Sequence, residues 1–424
     1  MLKFKSDSAA NHRMPLHQSI WSASRNEGRG GVAPSMELFT SAGPRPASEL
    51  VAGDMVFALE PTTRLVKPKR VVEVTRRSTT SGIVRASARR VGFELAPQHP
   101  IPHTTPRGEV RFTPVVELLD ADTRRLISDW RIPSQSHTKI FDITELLSRF
   151  DISFEARMSH SGPLDYIRAR LPDDCTPRRY NKWDGTYQFV FDGAVFNRYQ
   201  AAIETLGDAC HIHGQPSQWW RPYRFDATRF TRFLGWFIAE GSTWYDPEDE
   251  TAEVSVAQRS NGHRAHIEAL LADMGLNPSR SEYAIGFASQ LYAKLLDRLC
   301  GSGSYEKRLP SLAWSLPRRL RRVLLDTLMA GDGNFSSKQY YTASEQLRDD
   351  VCRLAMSLGV KPRYFPSGGD WAVSLRRTRD QLHGRQLECE PTDRNHVCLA
   401  VEDYPVVLAG RNGKYQWLGV SQIV

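Results

Sequence analysis

Two stretches constrain this chain more than any others. "FLGWFIAEG", Phe233 to Gly241, and "LDTLMAGDG", Leu325 to Gly333, are each an apolar, helix-forming run ending in a carboxylate and then a glycine. The first helix is expected to start at Asp226, a residue type suited to an N-cap, and to run through "ATRFTRFLGWFIAE". The second is expected to start near Pro317, which tolerates the first turn because its missing N–H is not needed there. Phe230, Phe233, Leu234, Phe237 and Ile238 fall on one face of the first helix, and Leu320, Val323, Leu324, Leu328 and Met329 on one face of the second. Small residues stand four apart in both: Gly235 and Ala239, then Thr327 and Gly331. That spacing makes a stripe along which two helices can approach closely. A glycine inside an exposed helix costs about 1 kcal/mol against alanine, so Gly235 needs a packing reason. Gly241 and Gly333 follow the acids and suit left-handed C-caps.

The flanking sequence repeats as well. "EVSVAQRSNGHRAHIEALLADMGL" after the first motif and "KQYYTASEQLRDDVCRLAMSLGV" after the second both read as strand, turn, amphipathic helix and glycine. Two similar halves on one chain imply a pseudo-dimer about a rough two-fold axis. Packed side by side, the helices bring Glu240 and Asp332 to one end of a seam. Two carboxylates at helix C-termini, which already carry partial negative charge, call for a cation. Mg²⁺ takes one or two carboxylates with water and substrate phosphates. Such a site can activate water and stabilise a leaving oxygen in phosphodiester hydrolysis.

The whole chain fits that reading. Its 424 residues allow two or three domains, and its net charge of +8 is compatible with a polyanionic partner. The six cysteines form no CxxC pair, and "CHIH", Cys210 to His213, lacks a second half at ligand spacing, so reduced thiols in the cytoplasm are expected and zinc is not. No apolar run is long enough to span a membrane. Residues 1–30 read as a polar tail. The segment from Met36 to about Trp130 and the one from Asn395 to Val424 read as short strands, around a mixed centre, as if one domain were split by another.

At the two motifs the chain resembles the LAGLIDADG (DOD-type) homing endonucleases, over residues 225 to about 380. The outer segments resemble the Hint domain of inteins: "SMELFTSAGPRPASELVAGDMVFA" is similar to its opening block, "LAPQHPI" to the block carrying an activating histidine, and "VCLAVEDYPVVLAGRNGKYQWLGV" to its closing blocks. The expected fold is therefore α+β: a pseudo-two-fold endonuclease domain at 136–390, with repeats at 225–310 and 315–385. It is inserted in a mostly β Hint-like domain formed by 31–135 and 391–424. The resemblance implies cleavage of both strands of a double-stranded DNA target by a monomer using Mg²⁺ or Mn²⁺, in a prokaryotic, phage or other mobile-element setting.

It also implies roles for individual residues. Glu240 and Asp332 become metal ligands and catalytic acids, joined by the backbone carbonyls of Gly241 and Gly333. Lys307 in "KRLP" becomes the group that polarises the attacking water or steadies the phosphate, and Gln258 in "VAQRS" approaches the metal-bound water or the DNA, with Ser344 in "YTASEQ" as its match in the second half. DNA contacts are expected from Arg259, Arg280, Arg318, Arg319, Lys338, Tyr340, Ser344, Arg363, Arg376 and Arg377. The segment "RRYNKWDGTYQFVF", Arg178 to Phe191, is a further basic and aromatic candidate.

The splicing chemistry fails on the same comparison. The position of the first nucleophile falls at Gly31, with Ser35 the nearest hydroxyl. The threonine before His99 is replaced by Ala96, and Val420 stands where a cyclising Asn is needed. A chain lacking the nucleophile has no first acyl step. The Hint-like part is therefore expected to be inactive in splicing, with His99 a structural remnant. Two other readings compete: a non-cleaving nucleic-acid-binding protein of the same fold, such as an intron maturase or regulator, and an intein still able to splice.

Overall fold

The computed structural model describes residues 30–79, 82–121, 123–133, 139–214, 220–246, 248, 251–377, 380–391 and 394–423. The expected tail lies outside them, apart from Gly30. The chain divides into two compact units. The outer one is formed by the chain up to Pro133 together with Lys361–Arg363 and Arg377–Val424; the inner one is Ser134–Val360 with Tyr364–Arg376. The mixture of helices and strands is α+β, as expected.

The outer unit is built from strands contributed by both ends of the chain. Its main sheet runs in the order Lys414–Gly419, Val406–Arg411, Glu37–Thr40, Met55–Leu59, Val66–Thr79, Arg394–Glu402 and Ser421–Ile423. β-Branched runs such as "VVEV" favour these extended segments. Val32, Leu38, Val56, Val71, Phe93 and Leu95 from the first segment share one core with Val397, Leu399, Val407 and Leu418 from the last. Neither segment could bury these side chains alone. One boundary differs from expectation: the chain returns to this unit at Arg377, not at 391. Gln381–Leu382 pairs with Arg124 and Arg125, Leu387–Glu390 pairs with Ile83–Ala86, and Leu382 and Leu387 join the core. Two scattered leucines carry too little periodicity to announce this in sequence.

The inner unit opens with a four-stranded antiparallel sheet in the order Arg179–Trp183, Thr186–Asp192, Glu155–His160, Ala209–His213, with the helix Gly193–Leu206 packed on it. Arg179–Trp183 and Thr186–Asp192 form a hairpin through Asp184 and Gly185, both at positive φ, the Asp-Gly pairing such a turn requires. The two repeats follow. In the first, the motif helix Ala227–Glu240 leads to strands Gly241–Asp246 and Thr251–Ala257, helix Asn261–Asp273, and strands Ser279–Arg280 and Ala284–Ala288. In the second, the motif helix Arg318–Gly331 leads to Gly333–Asn334 and Gln339–Thr342, helix Glu345–Ser357, and strands Arg363–Ser367 and Asp370–Ser374. Both sets of strands take the spatial order first, second, fourth, third. The second repeat closes with Asp370–Ser374, before residue 385, because the following chain belongs to the outer core. Among the described residues no helix is long and apolar enough to cross a membrane.

Candidate active site

The acids owe their position to the seam between the motif helices. Asp226 fixes the start of the first helix by accepting the Thr228 and Arg229 N–H groups at 2.9 and 3.0 Å. Along the seam, equivalent positions meet. A Cβ on Gly235 would lie 2.7 Å from Thr327 Cβ, and one on Gly331 would lie 2.5 Å from Ala239 Cβ. Gly235 and Thr327 each stand five residues before their acid, and Ala239 and Gly331 one residue before it. Like facing like is what a two-fold relation produces. Glu240 and Asp332 follow directly and line one cleft of about 430 Å³ with Lys307, Ser242 and Thr342.

The glycines after the acids work differently from expectation. Gly241 is extended, at φ −88° and ψ 153°, and Gly333 is not among the residues at positive φ. The constraint is space, not backbone handedness. A Cβ on Gly241 would lie 2.5 Å from the Phe237 carbonyl oxygen, and one on Gly333 would lie 2.5 Å from that of Met329. In both repeats the chain passes straight from helix to strand across the preceding turn.

Charge in the cleft is poorly solvated. Burial first and the neighbouring Glu240 second raise Asp332 to about 7, with Lys307 partly opposing them. Burial also raises the Glu240 carboxyl. Lys307 is 5% exposed. Its ammonium donates to the Phe237 carbonyl at 3.1 Å and lies 4.0 Å from the centre of the Phe237 ring. Burial lowers it to about 8. Among the described residues no cluster of three or more His, Cys, Asp or Glu could hold a metal; Asp370 also lines the cleft, and the carboxylates that act on one another there are Glu240 and Asp332. That donor set fits Mg²⁺ or Mn²⁺, whose remaining ligands would be water and phosphate oxygens.

The other expected site residues separate into two groups. Arg259 is exposed after strand Thr251–Ala257, Arg280 lies half-exposed near Glu268, and Lys338 is exposed in the turn before Gln339. Arg376 is exposed and donates to the Ser337 carbonyl at 2.8 Å, beside Lys338. Arg377 is exposed and counts with the outer unit. Gln258 is half-buried, and its side chain accepts from the Ser260 N–H at 3.0 Å; it does not line the cleft.

The remaining expectations are corrected. Tyr340 is fully buried, and Asp332 and Glu240 add to burial in raising its phenol. It pairs with Gly333, as Val256 pairs with Gly241, so it points into the core and away from any duplex. Ser344 is fully buried; its hydroxyl donates to the Lys307 carbonyl at 2.7 Å and caps the helix Glu345–Ser357 by accepting from Leu347. Its equivalent is Ser260, which caps Asn261–Asp273, and the equivalent of Gln258 is Thr342. Arg318 donates to the Leu358 carbonyl at 3.0 Å, and Arg319 to the Thr228 hydroxyl at 3.0 Å. Both sit at the far end of the second motif helix, about 20 Å from Asp332 at ~1.5 Å per residue, so they cannot serve a duplex lying over the acids. Arg363 opens strand Arg363–Ser367 but counts with the outer unit, where burial, with the charges of Arg89 and Arg90, lowers its guanidinium. Ser242 and Thr342 were missed; the register that places them beside the acids was the signal.

In the outer unit, the Ala96 N–H donates to the Gly31 carbonyl at 3.0 Å, and the Val420 N–H to that of Pro405 at 2.8 Å. His99 is 2% exposed beside Gly31, and burial lowers its imidazole to about 3. Gly31, not the exposed Ser35, is the residue beside the histidine.

No protein-family model matches the chain. It is 32% identical over 116 residues to the DNA gyrase A protein of Mycobacterium gordonae, a match covering 25% of this chain and 21% of that protein. The chain thus spans about a fifth of that relative's length. Among solved structures it is similar to a bacterial intein-like domain from Clostridium thermocellum, at 22% identity and a TM-score of 0.21, over 24% of this chain and 68% of that one. It is also similar to a variant of I-DmoI in complex with its target DNA, at 14% identity and a TM-score of 0.27, over 35% of this chain and 88% of that one. The chain resembles an intein-like domain and a LAGLIDADG homing endonuclease together, as its motifs and flanking strands led us to expect.

Proposed function

We propose that this chain is a site-specific, double-stranded DNA endonuclease that hydrolyses phosphodiesters with Mg²⁺ or Mn²⁺. The observation that carries the reading is the convergence of Glu240 and Asp332, from equivalent helix ends, on one cleft that also holds Lys307. Raised carboxyl groups are costly to ionise together, and a divalent cation removes that cost. Glu240 and Asp332 would hold the cation, helped by the carbonyls of Gly241 and Gly333. When bound it would supply charge at the leaving oxygen and make a water acidic enough to attack. Lys307, half-neutral near pH 8, holds or accepts a proton at its Nζ beside that water. Gln258 would reach toward the water only by leaving its turn at Ser260.

The duplex would lie along the strands of the two repeats, with Arg259, Arg280, Lys338, Arg376 and Arg377 on phosphates and base edges. With an internal two-fold relation, each half of a single chain would cut one strand. Splicing is proposed to be inactive because Val420 offers no amide to cyclise. The test is to incubate a genomic or phage DNA library with the intact protein and Mg²⁺ and map the ends. Recurrent breaks at one sequence, lost in Glu240→Gln and Asp332→Asn, are expected. Binding without breaks would instead establish a non-cleaving binder of this fold.

A further inference from the structure

Among the described residues of the outer unit, a groove of about 710 Å³ is lined by three arginines and by no acidic residue. It is formed over the antiparallel strands Pro100–Thr104, Val110–Pro114 and Arg124–Leu126. Strand register gathers the charges. His103 pairs with Arg111 on one side and with Leu126 on the other. Residues two apart on a strand share a face, so Arg124 joins Arg111 and His103 on one side of the sheet. Both guanidinium groups act on the His103 imidazole, which is 7% exposed and is lowered by burial first, then by Arg124 and Arg111. Its Nε2 lies 2.9 Å from the Thr113 hydroxyl. Arg111 and Arg125 are exposed, and Arg124 is half-buried and donates to the Thr123 carbonyl at 3.2 Å. Among the described residues none of the three forms an ion pair, whereas Arg45 and Arg85 of the same unit pair with Asp54 at 3.2 Å and Glu94 at 2.7 Å.

We infer that this groove is a phosphate-binding site through which the outer unit holds the backbone of a DNA duplex, apart from the nuclease cleft. Guanidinium forks match phosphate oxygens two at a time and stay charged at every accessible pH. Three of them without an acid repel one another, and an anion among them removes that cost. Thr104 and Thr113 in the lining carry hydroxyls of the kind that contact phosphate oxygens. The width of the site points to a chain of phosphates and not to a single ion. Val110–Pro114 and Arg124–Leu126 flank the same central strand, so their backbones run ~10 Å apart, and arginines on both meet successive groups of a polyanion. The net charge of +8 favours such a partner. The inference takes duplex DNA from the proposed function and uses none of its residues, so binding without metal tests it whether or not the chain cleaves.

The test is the salt dependence of duplex affinity for the full chain in EDTA, read as fluorescence anisotropy of a labelled mixed-sequence duplex. Arg111→Gln and Arg125→Gln should each lower the slope of log affinity against log salt by ~0.9 and weaken binding ~8-fold at ~0.1 M salt. The double variant should lose about twice that slope. Arg111→Lys should keep most of it, because charge and not the fork sets the counterion release. Arg70→Gln, which removes an exposed arginine from strand Val66–Thr79 of the same unit, should leave the slope unchanged. Histidine NMR of the wild type gives a second readout that misfolding cannot imitate. Added duplex should raise the pH midpoint of the His103 ring, because phosphate offsets Arg124 and Arg111. Inorganic phosphate offers one group and should need a concentration at least ~100-fold higher. A double variant with the wild-type slope, or a loss no larger than in Arg70→Gln, would overturn the inference. So would a His103 midpoint that moves with inorganic phosphate and not with duplex, which marks a site for the free ion. Wild-type protein that shows these effects and cuts no DNA would remove the nuclease reading and leave this one standing.

Discussion

Thr327 closes on Gly235 across the seam of the motif helices, leaving no space for a methyl group: a Cβ on Gly235 would lie 2.7 Å from Thr327 Cβ and 2.9 Å from its Cγ2. Two effects of Gly235→Ala then oppose each other. Helix propensity favours alanine by ~1 kcal/mol. Overpacking a rigid seam costs ~1–3 kcal/mol, and Thr327 cannot turn away because the clash is at its Cβ. The net change should be destabilising, read as a lower denaturation midpoint. Gly262 supplies the contrast, since nothing stands within 4 Å of a Cβ there. Gly262→Ala should be neutral or stabilising by up to ~1 kcal/mol.

Ser344 separates a structural role from a DNA-contacting one. Its hydroxyl caps a helix and bonds the Lys307 carbonyl. Ser344→Ala should lower stability by ~0.5–2 kcal/mol. The dependence of DNA affinity on salt should stay as in the wild type, because no phosphate contact is lost. A shallower salt dependence in this variant would return Ser344 to the DNA surface.

What could be read from the sequence was whatever short-range periodicity encodes. Gly235, Ala239, Thr327 and Gly331 recur at helical spacing, so the seam and the meeting of Glu240 with Asp332 followed from geometry alone. Tyr340 and Ser344 misled because a strand or turn residue near a motif reads as exposed until register is known. Once Gly333 is paired with Tyr340, the phenol must point inward. Arg318 and Arg319 misled for a similar reason: a basic run says nothing about which end of a helix meets the ligand. The meeting of Arg111 and Arg124 at His103 depends on the register of three strands, which no local pattern carries.

Lys307 should be sensitive to a substitution that keeps its charge. Its ammonium is buried on the Phe237 carbonyl and ring and is lowered to about 8. A lysine serving as a proton acceptor must lose its proton, so DNA cleavage should rise with pH through about 8. Arginine stays protonated at every accessible pH. Lys307→Arg should therefore cleave at least ~10-fold more slowly at pH 8.5 and lose that rise, while Lys307→Met should be at least as slow. A pH–rate profile of Lys307→Arg that overlays the wild type would remove the proton-transfer role.

Asp332 gives the acid pair a signature measurable without DNA. Its carboxyl is raised from an ordinary value of 3.8 to about 7, first by burial and then by Glu240, with Lys307 opposing. The folded state therefore holds a proton that the unfolded state releases near pH 4. Between these values the folded chain binds more protons, so the site's contribution to stability falls as pH rises. Metal-free protein should melt at a higher temperature at pH 6 than at pH 8, once the remaining pH dependence is subtracted using Asp332→Asn, which has no carboxyl to titrate. Mg²⁺ needs the ionised form and competes with that proton. Its stabilising shift should be larger at pH 8 than at pH 6 in the wild type and small at both in Asp332→Asn. The two measurements have opposite signs in pH and a common origin in one carboxyl. A wild-type chain whose pH dependence parallels that of Asp332→Asn, or whose Mg²⁺ shift is the same at both pH values, would show that Asp332 ionises as an ordinary surface acid and holds no cation with Glu240.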